Sequence, residues 1–238
     1  MNLQNHNPGC CSHSQALIKL SDVSLIREGR TILANVNLCV HKGDFIAVTG
    51  PNGGGKTSLM RLILGLLNPT EGSIAYFSET GESIPRLYRP GYLPQKNTVD
   101  GHFPITVGEV VASALINHNM DRERKDSEID RVLSLMGLSE LSKRPIGRLS
   151  GGQLQRTLFA RAIVSCPGVL VLDEPLSYLD ARYEQQLCSV VEELAKSTTV
   201  LLVSHQMTRI ASLANRHIIV ERSVRECSHA HHYAAPEC

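Results

Sequence analysis

One stretch restricts the fold more than any other: Gly50-Pro51-Asn52-Gly53-Gly54-Gly55-Lys56-Thr57-Ser58. It matches the pattern G-x-x-x-x-G-K-[ST] at each fixed position. An apolar run of strand length (44–49) precedes it, and a helical run (59–67), stopped by Asn68-Pro69, follows. In that context the glycines let successive backbone N–H groups turn toward phosphate oxygens, and the helix N-terminus adds partial positive charge. Lys56 then reaches the terminal phosphates and the Thr57 hydroxyl ligates Mg²⁺. A glycine-rich turn matching by chance would not come with both flanks.

Strands alternating with helices after this loop predict an α/β fold with a mainly parallel sheet. Ahead of it, 16–25 and 31–40 read as two strands joined by the charged turn Arg27-Glu28-Gly29-Arg30, an antiparallel pair. Further strands are expected at 71–77 and at Gly91-Tyr92-Leu93-Pro94. The segment 104–150 holds helical spacing only (107–116 and 122–136), the mark of a helical insert. A helix at 152–165, a buried strand at 169–172, a helix at 181–196, a strand at 199–203, a helix at 207–214 and a closing hairpin (217–220 with 224–227) complete the reading. Residues 1–15 and 228–238 read as loose tails on one domain, 16–227.

The other chemistry lies at strand ends. Asp173-Glu174 follows the apolar 169–172 run directly, where one carboxylate can hold Mg²⁺ and the other can polarise an attacking water. Leu149-Ser150-Gly151-Gly152-Gln153 opens a helix with a hydroxyl and exposed N–H groups, a second anion-binding end. If one nucleotide uses both ends, the simplest geometry is a head-to-tail pair of chains under twofold symmetry, each completing the other's site.

The ordered set of 50–58, Gln95, Leu149–Gln153, 169–175, 177–180 and His205 resembles the nucleotide-binding subunit of an ABC transporter, across nearly the whole of 16–227. The resemblance implies a P-loop NTPase (RecA-like) core with an N-terminal antiparallel β subdomain and a helical subdomain. It implies ATP and Mg²⁺ as ligands. Gly50, Pro51, Asn52, Gly53, Gly54, Gly55, Lys56, Thr57 and Ser58 would surround the phosphates, and Thr57, Gln95 and Asp173 would serve the metal. Glu174 would be the general base, with Lys56 and His205 on the γ-phosphate. Ser150, Gly151, Gly152 and Gln153 would contact ATP held by the opposite chain of a homodimer, and Asp180 would lie across that interface. Arg27 stands where the family usually stacks an aromatic residue on adenine; a guanidinium plane also stacks, so an altered base contact and a modest preference for ATP over GTP are expected.

The resemblance also implies integral membrane permease subunits as partners, seated in a groove between Gln95 and the helical insert. It implies a peripheral place on the cytoplasmic face of the inner membrane. Tyr92-Leu93-Pro94-Gln95-Lys96 and Phe103-Pro104-Ile105-Thr106-Val107 are similar to the zinc and manganese importer branch, which works indirectly with an extracytoplasmic metal-binding protein. Other cargoes (lipoprotein, lipid, peptide, iron complexes) share the cassette. A net charge of +1 gives no electrostatic footprint for nucleic acid. No apolar run reaches the ~20 residues that span a bilayer, and the polar N-terminus is not of secretory type. Seven scattered cysteines fit reduced thiols. Cys227, His229, His231, His232 and Cys238 form either a Zn²⁺-binding tail or an uncommitted polar one, and His6, Cys10, Cys11 and His13 could add to it.

Overall fold

Alternation with a period of two decides the layers, because successive strand residues face opposite sides of a sheet. The computed structural model describes residues 16–95, 103–204 and 210–227. Within them, strands β3 (Phe45–Thr49), β7 (Val169–Asp173) and β8 (Thr199–Val203) lie at the centre of a six-stranded sheet. Its order is β10-β9-β3-β8-β7-β6, with β6 at Gly91–Leu93, β9 at Arg216–Glu221 and β10 at Ser223–Glu226. All neighbours are parallel except the β9–β10 hairpin. Phe45, Ala47, Leu170, Leu172, Val200 and Leu202 point into one core. Ile46, Val48, Val169, Val171, Leu201 and Val203 point into the other. Burial on both faces explains why these strands read as unbroken apolar runs.

The second core is closed by helix α1 (Lys56–Ile63) and by a four-stranded antiparallel sheet. That sheet runs β2-β1-β4-β5, with β1 at Ala16–Arg27, β2 at Arg30–His41, β4 at Glu71–Phe77 and β5 at Ser83–Ile84. β1 and β2 meet at the pair Arg27 and Arg30 through Glu28 (φ 49°) and Gly29 (φ 72°). Two successive left-handed residues make the primed turn that suits strand twist. The first core is closed by α2 (Val107–Ala112), α3 (Arg122–Leu135), α4 (Gly151–Ile163) and α5 (Ala181–Leu194).

Three local readings change. α1 ends at Ile63, not at Asn68-Pro69: Gly65 turns left-handed (φ 68°), and Leu66 N–H reaches back to the Arg61 carbonyl at 2.8 Å. This glycine cap ends the helix before the proline acts. The short strand β5 was not expected, and two residues are too few to carry a pattern. Of the helix expected at 207–214, the described part is a single 3₁₀ turn, Ala211–Leu213. The tails at 1–15 and 228–238 lie outside the described residues.

Candidate functional site

The glycine loop bridges β3 and α1, and the sheet's C-terminal edge supplies its neighbours. Gly50 (φ 137°) and Gly55 (φ 102°) hold conformations that side chains resist. A methyl group on Gly50 would stand 2.1 Å from the Val220 carbonyl oxygen, and one on Gly54 would stand 2.6 Å from it. The Arg222 N–H donates to the Gly54 carbonyl at 3.0 Å. The C-terminal hairpin therefore braces the loop from behind. No motif marks Val220 or Arg222, and only their place beside β3 reveals the role.

Lys56 is buried, with Nζ donating to the carbonyls of Gly50 (2.8 Å) and Pro51 (2.9 Å). Its ammonium thus sits inside the loop's curve. Burial lowers its pKa, while the charges of Glu174 and Asp173 work the other way. Pro51, Asn52 and Gly53 form the exposed tip of the loop, and Ser58 is half-buried in the first turn of α1.

Four side chains from three segments (the start of α1, the end of β7 and the stretch after β6) then close a polar ring. The Thr57 hydroxyl lies 2.8 Å from Asp173 Oδ2 and 3.4 Å from Gln95 Oε1. Gln95 Nε2 donates to Glu174 Oε1 at 2.8 Å. Asp173 is fully buried, and its Oδ1 has no hydrogen-bond partner. Burial pushes the Asp173 carboxyl above its usual range, and the Glu174 charge adds to that; the Thr57 bond and the cations Lys56 and Arg61 oppose it. A buried acceptor with nothing to accept from is what a hard dication satisfies. Thr57, Gln95 and Asp173, all oxygen donors, fit Mg²⁺.

Glu174 carries backbone strain, with φ 55°. A left-handed non-glycine residue costs about 1–3 kcal/mol and persists only where its surroundings over-determine it. Its N–H donates to the Val203 carbonyl at 3.0 Å. Gln155, in α4, points its amide at the carbonyls of Glu174 (3.4 Å) and Pro175 (3.2 Å). No motif singles out Gln155; it is one of three polar residues, with Arg156 and Thr157, on the buried face that α4 shares with Phe159, Ala160, Ala162 and Ile163.

The segment Leu149–Gln153 opens helix α4 at the surface. Ser150 caps α4: its hydroxyl accepts from Gln153 N–H (3.3 Å), and Gln153 Oε1 accepts from Ser150 N–H (3.0 Å). This reciprocal box commits the Gln153 side chain to the helix end and leaves the Ser150 proton to donate. Gly152 packs against the turn of Ser177–Asp180, where an added Cβ would lie 2.9 Å from the Tyr178 carbonyl oxygen. Tyr178 is left-handed (φ 67°) and 79% exposed. Asp180 caps α5 by accepting from Tyr183 N–H at 3.0 Å. Arg27 is exposed at the end of β1. His205 lies outside the described residues. Among the described residues no group of three or more His, Cys, Asp or Glu is gathered as a metal site, and no helix is long and apolar enough to cross a membrane.

Comparison with known proteins agrees with this geometry. Residues 33–177 match the family model for ABC transporters. A probable metal transport system ATP-binding protein of Chlamydia pneumoniae is 37% identical over 193 residues, covering 79% of each chain. The zinc uptake system ATP-binding protein ZurA of Listeria innocua is 35% identical over 228 residues, covering 91% of this chain and 87% of that one. Among solved structures, the ATP-binding cassette MJ0796, a dimer in a post-hydrolysis state bound to ADP and Pi, superposes with a TM-score of 0.77 at 26% identity, covering 91% of this chain. With the phosphate loop, the acidic strand end and the Ser150 turn assembled on one P-loop core, the chain belongs to the ABC transporter family as an ATP-binding, ATP-hydrolysing subunit.

Proposed function

We propose that this subunit powers the import of a divalent metal ion such as zinc or manganese, docked peripherally on membrane permease subunits at the cytoplasmic face. The cargo reading is supported by relatives named for zinc uptake and metal transport that align over most of the chain. An extracytoplasmic metal-binding protein would deliver the ion to the permease.

The observation that carries the chemistry is the ring of Thr57, Asp173, Gln95 and Glu174 beside the glycine loop. In this reading the loop amides and Lys56 bind the β and γ phosphates, the ammonium exchanging its carbonyl partners for phosphate oxygens. Thr57, Gln95 and Asp173 hold Mg²⁺, which when bound neutralises charge building on the transferred phosphoryl group. Glu174 accepts a proton from the attacking water, and His205 contacts the γ-phosphate. The Ser150 hydroxyl and the amides of Gly151 and Gly152 complete the site of the facing copy. Asp180 lies at that interface, and Arg27 lies beside the base.

Replacing Glu174 by Gln tests this. The variant should lose steady-state ATP hydrolysis by about 100-fold or more, as expected when a general base is removed. It should accumulate as an ATP-bound dimer in light scattering. Turnover near the wild-type rate would refute the assignment.

A further inference from the structure

Glu174 is held in a conformation that its own sequence opposes. A residue before proline favours extended backbone, and a side chain at positive φ is disfavoured; Glu174 precedes Pro175 and has φ 55°. Relaxing to extended backbone would swing its carboxylate out of the ring formed with Gln95. The Val203 carbonyl fixes the N–H side of this residue. On the carbonyl side, Gln155 Nε2 lies 3.4 Å from the Glu174 oxygen and 3.2 Å from the Pro175 oxygen. A carboxamide nitrogen has two protons to give, so one buried amide can serve two successive carbonyls. Gln155 is 1% exposed, and nothing from solvent can replace it.

We propose that Gln155 is a positioning residue for Glu174. It locks the backbone that aims the carboxylate and joins that backbone to α4, the helix that opens with Ser150–Gln153. The general base is then set by the same helix that offers its first turn to the facing copy's nucleotide. This inference rests on the reading of Glu174 as the general base.

The test is ATP hydrolysis by the full chain across a range of ATP concentrations, with a thermal midpoint for each variant. Gln155→Leu keeps the bulk and removes both donors. It should lower kcat about tenfold with KM within about twofold of wild type, the pattern of a misaimed catalytic group. Gln155→Glu should be slower still, because its carboxylate would face two carbonyl oxygens although it matches glutamine in shape. A kcat within about twofold of wild type for the leucine variant, or a glutamate variant faster than the leucine one, would overturn the proposal. So would a fall in kcat matched by a rise in KM and a lowered midpoint, which would make Gln155 ordinary packing. If Gln155→Leu does not fold, Gln155→Met takes its place; failure of both to fold makes the residue a folding determinant and equally ends the proposal. Glu174→Gln separates the two ideas: a hydrolysing Glu174→Gln sinks the general base, whereas a dead Glu174→Gln beside fully active Gln155 variants sinks only the positioning role.

Discussion

At the scale of single residues, the site trades stability for readiness to bind. Asp173 is fully buried, its Oδ1 lacks a partner, and burial raises its pKa. A carboxyl whose folded pKa lies above the unfolded value of about 3.9 favours the fold only while protonated. That contribution is present at low pH and is lost as pH rises through the raised value. Ionising Asp173 as pH rises therefore costs the fold stability, a cost that the Thr57 bond and the Lys56 and Arg61 cations offset only in part. Asp173→Asn keeps an oxygen to accept from Thr57 and removes that charge. It should raise the neutral-pH melting temperature by about 2–4 °C, the shift that ~1 kcal/mol gives a chain of this size. The gain should shrink as pH falls toward 4, and Mg²⁺-dependent hydrolysis should be lost. Thermal melts across pH check the first part; an unchanged or lower melting temperature would contradict the sign.

At the scale of elements, the phosphate loop depends on neighbours remote in sequence. Gly54 lies against the Val220 and Pro51 carbonyl oxygens, so a methyl group there would sit 2.6 and 2.9 Å from fixed backbone. Gly53 has nothing within 4 Å and pays only for its left-handed φ of 75°. Gly54→Ala should weaken ATP binding by at least about 30-fold, since the Val220 carbonyl cannot yield without moving the hairpin, nor the Pro51 carbonyl without opening the loop. Gly53→Ala should bind within about fivefold and lose roughly 1–2 kcal/mol of stability. Titration with a fluorescent nucleotide, paired with melts, separates them; equal losses at both positions would remove the steric argument. The motif itself was plain in the sequence, yet it ranks these glycines alike. What distinguishes them is the β9–β10 hairpin, some 170 residues away and brought alongside β3 by parallel pairing.

At the scale of the whole molecule, the proposed function gives one chain two anion-binding ends, the loop at Lys56 and the turn at Ser150. Ser150 and Gly151 are exposed, as a surface meant for a second copy must be. In the Glu174→Gln background, adding Ser150→Arg should leave ATP binding per chain within about threefold, because the loop is untouched and the lost cap costs only ~1 kcal/mol. It should abolish the ATP-dependent dimer, since a bulky cation would stand where the facing nucleotide sits. Light scattering in ATP reads the outcome, and a dimer that persists would mean that Ser150 does not stand against the facing copy's nucleotide.

The family of chemistry and the layer plan are legible in residue order alone. Fixed spacing in 50–58, the 149–153 turn and the acidic end of an apolar strand encode local geometry, and local geometry survives translation into residue patterns. Doubly buried strands announced themselves for the same reason, as runs without polar alternation. Which polar groups meet is settled by packing in three dimensions. The unpartnered Asp173 oxygen, the left-handed Glu174, the Gln155 amide beneath it and the Val220 carbonyl behind the glycines all arise between elements far apart in the chain. No spacing rule reaches across such distances, because contacts there are set by sheet register and helix packing.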